Sequence, residues 1–173
     1  MIKMAFVRKM APVFFLLCFS GCGYQMVGKE THVPPGIGSV AIPTFKNNTF
    51  EPGIEIPFTQ AFLQEFISDR RVKVVNRSEA DCVLEGVIKY FYSVSVTYNR
   101  SGQVQEYLTT VTMDVTLKNR GGDVIWTDRD ISESRTFRAS AFGLTNEGNK
   151  GVAIQQAAAF VAQRIRNRFF YNF

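Results

Sequence analysis

Apolar residues between positions 58 and 67 fall on one helical stripe: Phe58, Phe62 and Phe66 at every fourth position, with Ala61 and Ile67 beside them. This spacing predicts a helix over Pro57–Arg70 with one face packed on a sheet. Pro57 suits the first turn, where its missing N–H costs nothing. A second stripe, Ile154, Ala158, Val161, Ile165 and Phe169, predicts a helix over Lys150–Phe169. Arg164, Arg166 and Arg168 crowd its last turns, where positive charge offsets the helix dipole. Between the two helices the period drops to two. Asp81–Tyr98 alternates Leu84, Gly86, Ile88, Tyr90, Tyr92, Val94, Val96 and Tyr98 against Glu85, Lys89, Ser93, Ser95 and Thr97. That is a long strand with one apolar, covered face. Asn99–Gly102 is a turn, Gln103–Lys118 returns with Val111, Met113, Val115 and Leu117 on one face, Asn119–Asp123 turns again, and Val124–Arg138 completes a meander. Ser39–Phe45 and Val72–Val75 are shorter strands, while 46–53 and 139–149 read as loop. The meander strands exceed the usual five or six residues, and such strands either run on or are broken by bulges. The order predicts an α+β, two-layer sandwich, with two amphipathic helices on one face of a mainly antiparallel or mixed sheet of four to five strands.

The chain has 173 residues, enough for one domain with a sizeable core. Its formal charge is +5, but Lys3, Arg8 and Lys9 lie in a first segment without acids. The remainder holds 17 basic against 15 acidic residues, which argues against nucleic acid as a partner. That first segment has a basic start, a short apolar run over 11–19, and the small residues Ser20 and Gly21 ahead of Cys22. It has the form of a secretory signal and is about half the length that a membrane-spanning helix needs. Residues 1–21 are thus expected to be a signal peptide. Residues 23–37, with two prolines and three glycines, read as a tether.

The residues offer little for catalysis. His32, the only histidine, lies in the tether beside two prolines, where neither a zinc site nor a positioned base forms. Once Cys18 leaves with the signal, Cys82 remains as a small buried hydrophobe in an apolar run. Glu106, Asp114, Asp128, Asp130 and Glu133 alternate with basic residues and read as solvated strand faces. A lipid-anchored hydrolase built on paired carboxylates such as Asp128 and Asp130 is the enzymatic alternative. The expectation is no enzyme, no metal and no cofactor.

Two resemblances add to this reading. Phe19-Ser20-Gly21-Cys22 resembles the lipobox of bacterial lipoproteins, which implies diacylglycerol on the Cys22 thiol, cleavage before it, and acylation of the new amine. Several acyl chains anchor stably where one does not. Gly23 rather than Asp after the cysteine implies sorting to the outer membrane. Cys22-Gly23-Tyr24, Val40-Ala41-Ile42-Pro43-Thr44-Phe45, Asn48-Thr49 and Glu51-Pro52-Gly53-Ile54-Glu55 together resemble the LptE family of lipopolysaccharide-assembly lipoproteins. Ala80-Asp81 with Leu84 and Gly86, Glu106-Tyr107 and Ile125-Trp126 extend the resemblance nearly to the C-terminus. It implies a lipidated N-terminus and tether over 22–37 and an LptE-like domain over 38–173. It also implies a role as plug and assembly aid for the LptD β-barrel, in a 1:1 complex, and a part in delivering lipopolysaccharide to the outer leaflet. Lipid A carries phosphates, so arginines are the expected contacts: Arg100 and Arg120 in the turns, Arg70 and Arg71 after the first helix. Lipoproteins of curli-secretion type and activators of wall-synthesis enzymes share the apolar strand ending in Pro-x-Phe. They would make the chain a periplasmic interaction module without a barrel.

Overall fold

The computed structural model describes residues 36–171. Strands β1 (Ser39–Ala41) and β2 (Lys46–Asn47) lead into helix α1 (Glu55–Asp69). Then follow β3 (Lys73–Val74), the meander β4 (Cys82–Tyr98), β5 (Val104–Asn119) and β6 (Val124–Arg138), and helix α2 (Gly143–Tyr171). The sheet order is β3-β1-β4-β5-β6, with β2 also paired to β4. The pairs made by β1 and β2 are parallel, and the meander is antiparallel. The sheet is therefore mixed, with both helices packed on one face, as the periodicities predict. It has six strands rather than four or five, because β2 forms inside the stretch read as loop.

The stripe of α1 is fully buried: Phe58, Phe62 and Phe66 are each 0% exposed. Ile67, assigned to that stripe from its spacing, faces solvent instead. The helix closes on Arg70, in the left-handed conformation at φ 63°, whose N–H donates to Phe66 O at 3.4 Å. Phe66 meets Phe169 of α2 edge-on at 5.4 Å, and this ring contact joins the two helices. Thr59 is buried on α1; its hydroxyl donates to Glu55 O at 2.7 Å and accepts from Phe45 N–H at 3.0 Å, which fixes the chain just before β2 against the helix.

Helix α2 begins at Gly143, seven residues before its predicted start, despite Gly148 and Gly151 within it. Glycine weakens helices, but tertiary bonds hold these turns. Lys150 Nζ bridges Glu147 at 2.7 Å and Glu51 at 2.8 Å, and the Asn146 side chain accepts from Ser140 N–H. The arginines of the last turns do more than offset a dipole. Arg164 reaches Ser132 O at 3.1 Å and Glu133 at 3.7 Å, Arg166 pairs Glu65 of α1 at 2.7 Å, and Arg168 pairs Asp128. They fasten α2 to β6 on one side and to α1 on the other.

The long strands are continuous but bulged. Between Ile88↔Met113 and Tyr90↔Thr112 the extra residue is Lys89. Between Met113↔Ile131 and Val115↔Asp128, β6 carries one residue more than β5, with Asp130 at φ 53°. The first bulge inverts the alternation of β4. Leu84, Gly86 and Ile88 face the helices, but beyond Lys89 it is Phe91 that packs on the core. Tyr90, Tyr92 and Val94, expected on the covered face, lie instead on the helix-free face opposite Thr112, Thr110 and Leu108. They are 62%, 51% and 45% exposed.

Gly86 is fixed by a close approach. A Cβ there would lie 2.6 Å from the Phe45 ring, which is itself wedged edge-on against Phe62 at 4.8 Å. Both rings are buried and have no room to retreat. Gly86→Ala is expected to lower unfolding stability by about 1–3 kcal/mol through overpacking, read as a shift in the urea midpoint with the slope unchanged.

Candidate functional site

The helix-free sheet face is a broad surface with an internal gradient. At its lower end Ala41, Ala80 and Val83 form a small buried cluster beneath Val75. Next comes a charged belt. Lys118 pairs Glu85 at 2.6 Å, and Arg77 adds a contact to Glu85 at 3.2 Å. The Lys118 hydrogen bond, against some desolvation, holds Glu85 below its ordinary pKa. Lys89 bridges Asp130 at 2.6 Å and Asp114 at 3.3 Å, which raises its pKa above the usual lysine range, the Asp130 hydrogen bond contributing most. Above the belt, hydroxyls pair across the strands, Thr110 with Ser134 at 2.8 Å and Thr112 with Ser132 at 3.4 Å. Tyr90, Tyr92 and Val94 flank this ladder. The carboxylates weighed for catalysis are engaged: Asp114 and Asp130 with Lys89, Asp128 with Arg168, Glu133 with Arg135 and Arg164, and Glu106 with the Thr97 hydroxyl. Asp128 meets α2, whereas Asp130 pairs with Lys89 in the belt, so the two do not form a shared carboxylate site. Among the described residues no group of His, Cys, Asp and Glu is arranged to hold a metal ion.

A groove of about 390 Å³ runs on the helix side, from Phe50 and Phe91 across to Tyr107, Phe137 and Lys150. Tyr107 and Phe137 stack at 5.2 Å to form its floor. Desolvation is the largest single influence on Lys150 and disfavours its charge, but the bonds to Glu147 and Glu51 together outweigh it and the pKa rises.

The sheet register separates the four arginines expected to meet phosphate. Arg120 follows β5 at the end where Asn119 pairs Cys82, and β3, which follows Arg70 and Arg71, starts at that same end. Arg100 sits in the β4–β5 turn at the opposite tip. Seventeen-residue β4 puts roughly 50 Å between the ends at about 3.3 Å per residue. Arg120 is partly spent on structure, donating to Ala80 O at 3.2 Å and reaching Asp81 at 3.4 Å. Arg71 pairs Asp69 and lies 3.6 Å over the Phe170 ring. Asp69 is held below its usual pKa, first by the Arg71 hydrogen bond. Arg100 is exposed. Cys22, the signal, His32 and the aromatic Phe173 terminus lie outside the described residues.

Sequence reasoning missed the clasp at the start of β1. Asp81 Oδ2 accepts from Ser39 Oγ at 2.7 Å, Ser39 N–H at 2.9 Å and Gly38 N–H at 3.1 Å, and Ser39 Oγ accepts from Asp81 N–H at 3.0 Å. These bonds, the Ser39 hydroxyl first, hold Asp81 below the ordinary carboxylate range. The Ala80-Asp81 motif was visible, but its partner lies 42 residues earlier. Beside it, burial pushes the Cys82 thiol up to about 12, so it is neutral, and Sγ donates to Ser39 O. The Asn47 side chain does the same kind of work in the next loop. It donates to Glu51 O and to the Glu55 carboxylate and accepts from Thr49 N–H, which ties the motif positions Thr49, Glu51 and Glu55 together through the residue just before Asn48.

The clasp has a testable pH signature. A carboxylate with a depressed folded pKa contributes stability that is full above its unfolded value, near 3.8, and is lost as pH falls through the folded value. The wild type should lose stability over that acid window in thermal melts. Asp81→Asn should be less stable at neutral pH and show a shallower acid decline.

No curated protein sequence matches the chain. Among solved structures, lipoprotein B of Nitrosomonas europaea superposes with a TM-score of 0.53 at 17% identity, covering 86% of this chain and 91% of that one. A minor lipoprotein of Acinetobacter baumannii gives 0.54 at 12% identity over 79% and 92%. The rare lipoprotein B of Shewanella oneidensis gives 0.50 at 14% over 75% and 91%. At such identities the likeness is one of fold: two helices on a mixed sheet. No helix among the described residues is long and apolar enough to cross a membrane. The lipopolysaccharide-assembly model LptE matches residues 37–169, from the turn before β1 to the end of α2, and the chain belongs to the LptE family of non-enzymatic envelope lipoproteins.

Proposed function

We propose that this chain is an outer-membrane lipoprotein that plugs an LptD-type β-barrel, assists its assembly and takes part in delivering lipopolysaccharide to the outer leaflet. The family match across 37–169 is the observation that carries the reading. On it, residues 1–21 direct export, Cys22 receives lipid, residues 22–37 span from the membrane surface, and 38–173 is the plug. The helix-free face supports this. A barrel lumen is polar, and a face of cross-strand ion pairs, threonine and serine hydroxyls and tyrosines suits such a wall better than it suits lipid or an empty periplasm. The stoichiometry is one plug per barrel.

For lipopolysaccharide the four arginines are not equivalent. Arg100 and Arg70 are both exposed, whereas Arg120 and Arg71 already hold carboxylates. A phosphate at Arg120 would therefore compete with an exposed pair, which is worth little in water and yields readily, whereas at Arg71 it would have to displace the largely buried Asp69 carboxylate.

The decisive measurement is affinity purification from outer membranes with identification of the co-purifying protein. A large barrel at one-to-one ratio is expected; a periplasmic partner alone would favour an interaction module without a barrel. Depletion should lower both mature barrel and surface lipopolysaccharide. Palmitate labelling should mark the wild type and disappear in Cys22→Ala; a labelled mutant would remove Cys22 as the anchor.

A further inference from the structure

The sheet has two long free edges, and they are treated differently. The outer edge of β6 is blocked. Arg164 donates to Ser132 O at 3.1 Å and the Asn149 amide donates to Arg138 O at 3.0 Å, so side chains of α2 occupy backbone acceptors along the strand. Asp128, Arg129, Asp130, Glu133, Arg135 and Arg138 add charge, and the bulge at Asp130 breaks its line. These are the usual devices against unwanted strand pairing.

Between Tyr90 and Ser95 the outer edge of β4 carries none of them: the Lys89 bulge lies before this stretch and the register shifts at Ser95–Tyr98 lie after it. β2 pairs with β4 only through Lys46↔Val87 and Asn47↔Ile88, and its last backbone bond runs from Asn48 N–H to Ile88 O at 2.9 Å. The chain then turns away through the Asn47–Thr49 loop. From Tyr90 to Tyr98, β4 has a neighbouring strand on the β5 side alone among the described residues. This stretch, YFYSVSVTY, contains no charge, no proline and no glycine, and is rich in β-forming residues. A protein that guards one edge with six charged side chains and two side-chain bonds leaves the other fit for pairing.

We propose that the Tyr90–Ser95 edge of β4 is a β-augmentation site that accepts one extended segment of the barrel partner. This rests on the plug reading above. The run of main-chain donors and acceptors along this edge is matched as a whole by another backbone in the extended conformation, and alternate side chains of an added strand would fall on opposite faces. On the helix side they meet the groove between Phe50 and Phe91, and Phe50, fully exposed beside it, would be covered. On the other face they lie beside Tyr90, Tyr92 and Val94. The expected segment is therefore extended, apolar at the positions entering the groove, and continuous with a polar wall covering the hydroxyl ladder. The shape argues for a barrel chain over a second copy. Edge-to-edge pairing of two copies would cover the edges yet leave both tyrosine faces bare, whereas a surrounding wall covers edge and face together. Because β6 is blocked, addition stops after one strand and no filament forms.

The test uses the full-length lipidated protein in its own outer membrane, with a photo-crosslinking amino acid in place of Ser95 and, as control, in place of Arg129 on β6. The expected result is a Ser95 crosslink to the co-purifying barrel, mapping to one short segment, and none from position 129. In parallel, Val94→Lys should reduce barrel recovery about tenfold while leaving the melting temperature of the purified protein unchanged, since Val94 is half-exposed. A crosslink between two copies would overturn the assignment of the occupant. Barrel recovered in full with no crosslink at Ser95 would overturn the augmentation and leave the plug reading standing. No barrel recovered at all would overturn both.

Discussion

The architecture depends on one carboxylate, that of Asp114 in the central meander strand. It pairs in register with Val87, and its side chain reaches the bulged Lys89 on one side and the Asp130 irregularity on the other. It accepts from Asp130 N–H at 2.8 Å and from Lys89 Nζ. A bulge frees backbone groups and kinks the strand. A side-chain acceptor placed between two of them satisfies a freed N–H on one strand and pairs the lysine of the other. Lys89 then bridges Asp130, so three strands are tied at one height. Below this line the helices cover the sheet. Above it β4 exchanges its faces, and the tyrosine stripe turns away from the helices.

That exchange divides the molecule into two regimes. The lower part holds the clasp, the Phe45–Gly86 contact and the phenylalanine cluster between α1 and α2, all buried and closely packed. The upper part is a three-stranded extension whose apolar residues are partly open. Local stability follows contact density. The fastening of α2 to β6 by Arg164 and Arg168 extends order a little way up one side of this extension. Among the described residues no ion pair joins α2 to β4.

Much of this was legible in sequence because it is periodic. The stripes of Phe58–Phe66 and Ile154–Phe169, the turns at 99–102 and 119–123, and the bounds of the third meander strand follow from spacing and turn chemistry. What stayed hidden was set by single residues acting across long separations. Nothing local marks Lys89 as a bulge, since its alternation reads as well in one face as in two. The early start of α2 depends on Glu51, nearly a hundred positions away, overriding two glycines. The clasp joins Ser39 to Asp81, and only the fold reveals that the pair meets. The arginines proposed as phosphate contacts were visible as turn residues; which of them were already engaged was not.

The division also gives the tether a mechanical meaning. Gly38 and Ser39, which follow the proposed lipid-bearing segment, are held by three hydrogen bonds to Asp81. If Cys22 anchors the chain as proposed, a pull would enter the fold at β1, in the middle of the parallel part of the sheet, and pass to β4 through the Val40↔Cys82 pairing. The same β4 continues to the open edge at Tyr90–Ser95. One strand, bulged at Lys89, thus runs from the pairing with β1 to the edge proposed to take a partner strand. A plug held at one end by lipid and at the other by strand pairing would be fixed in orientation as well as position, which a lipid anchor alone cannot do.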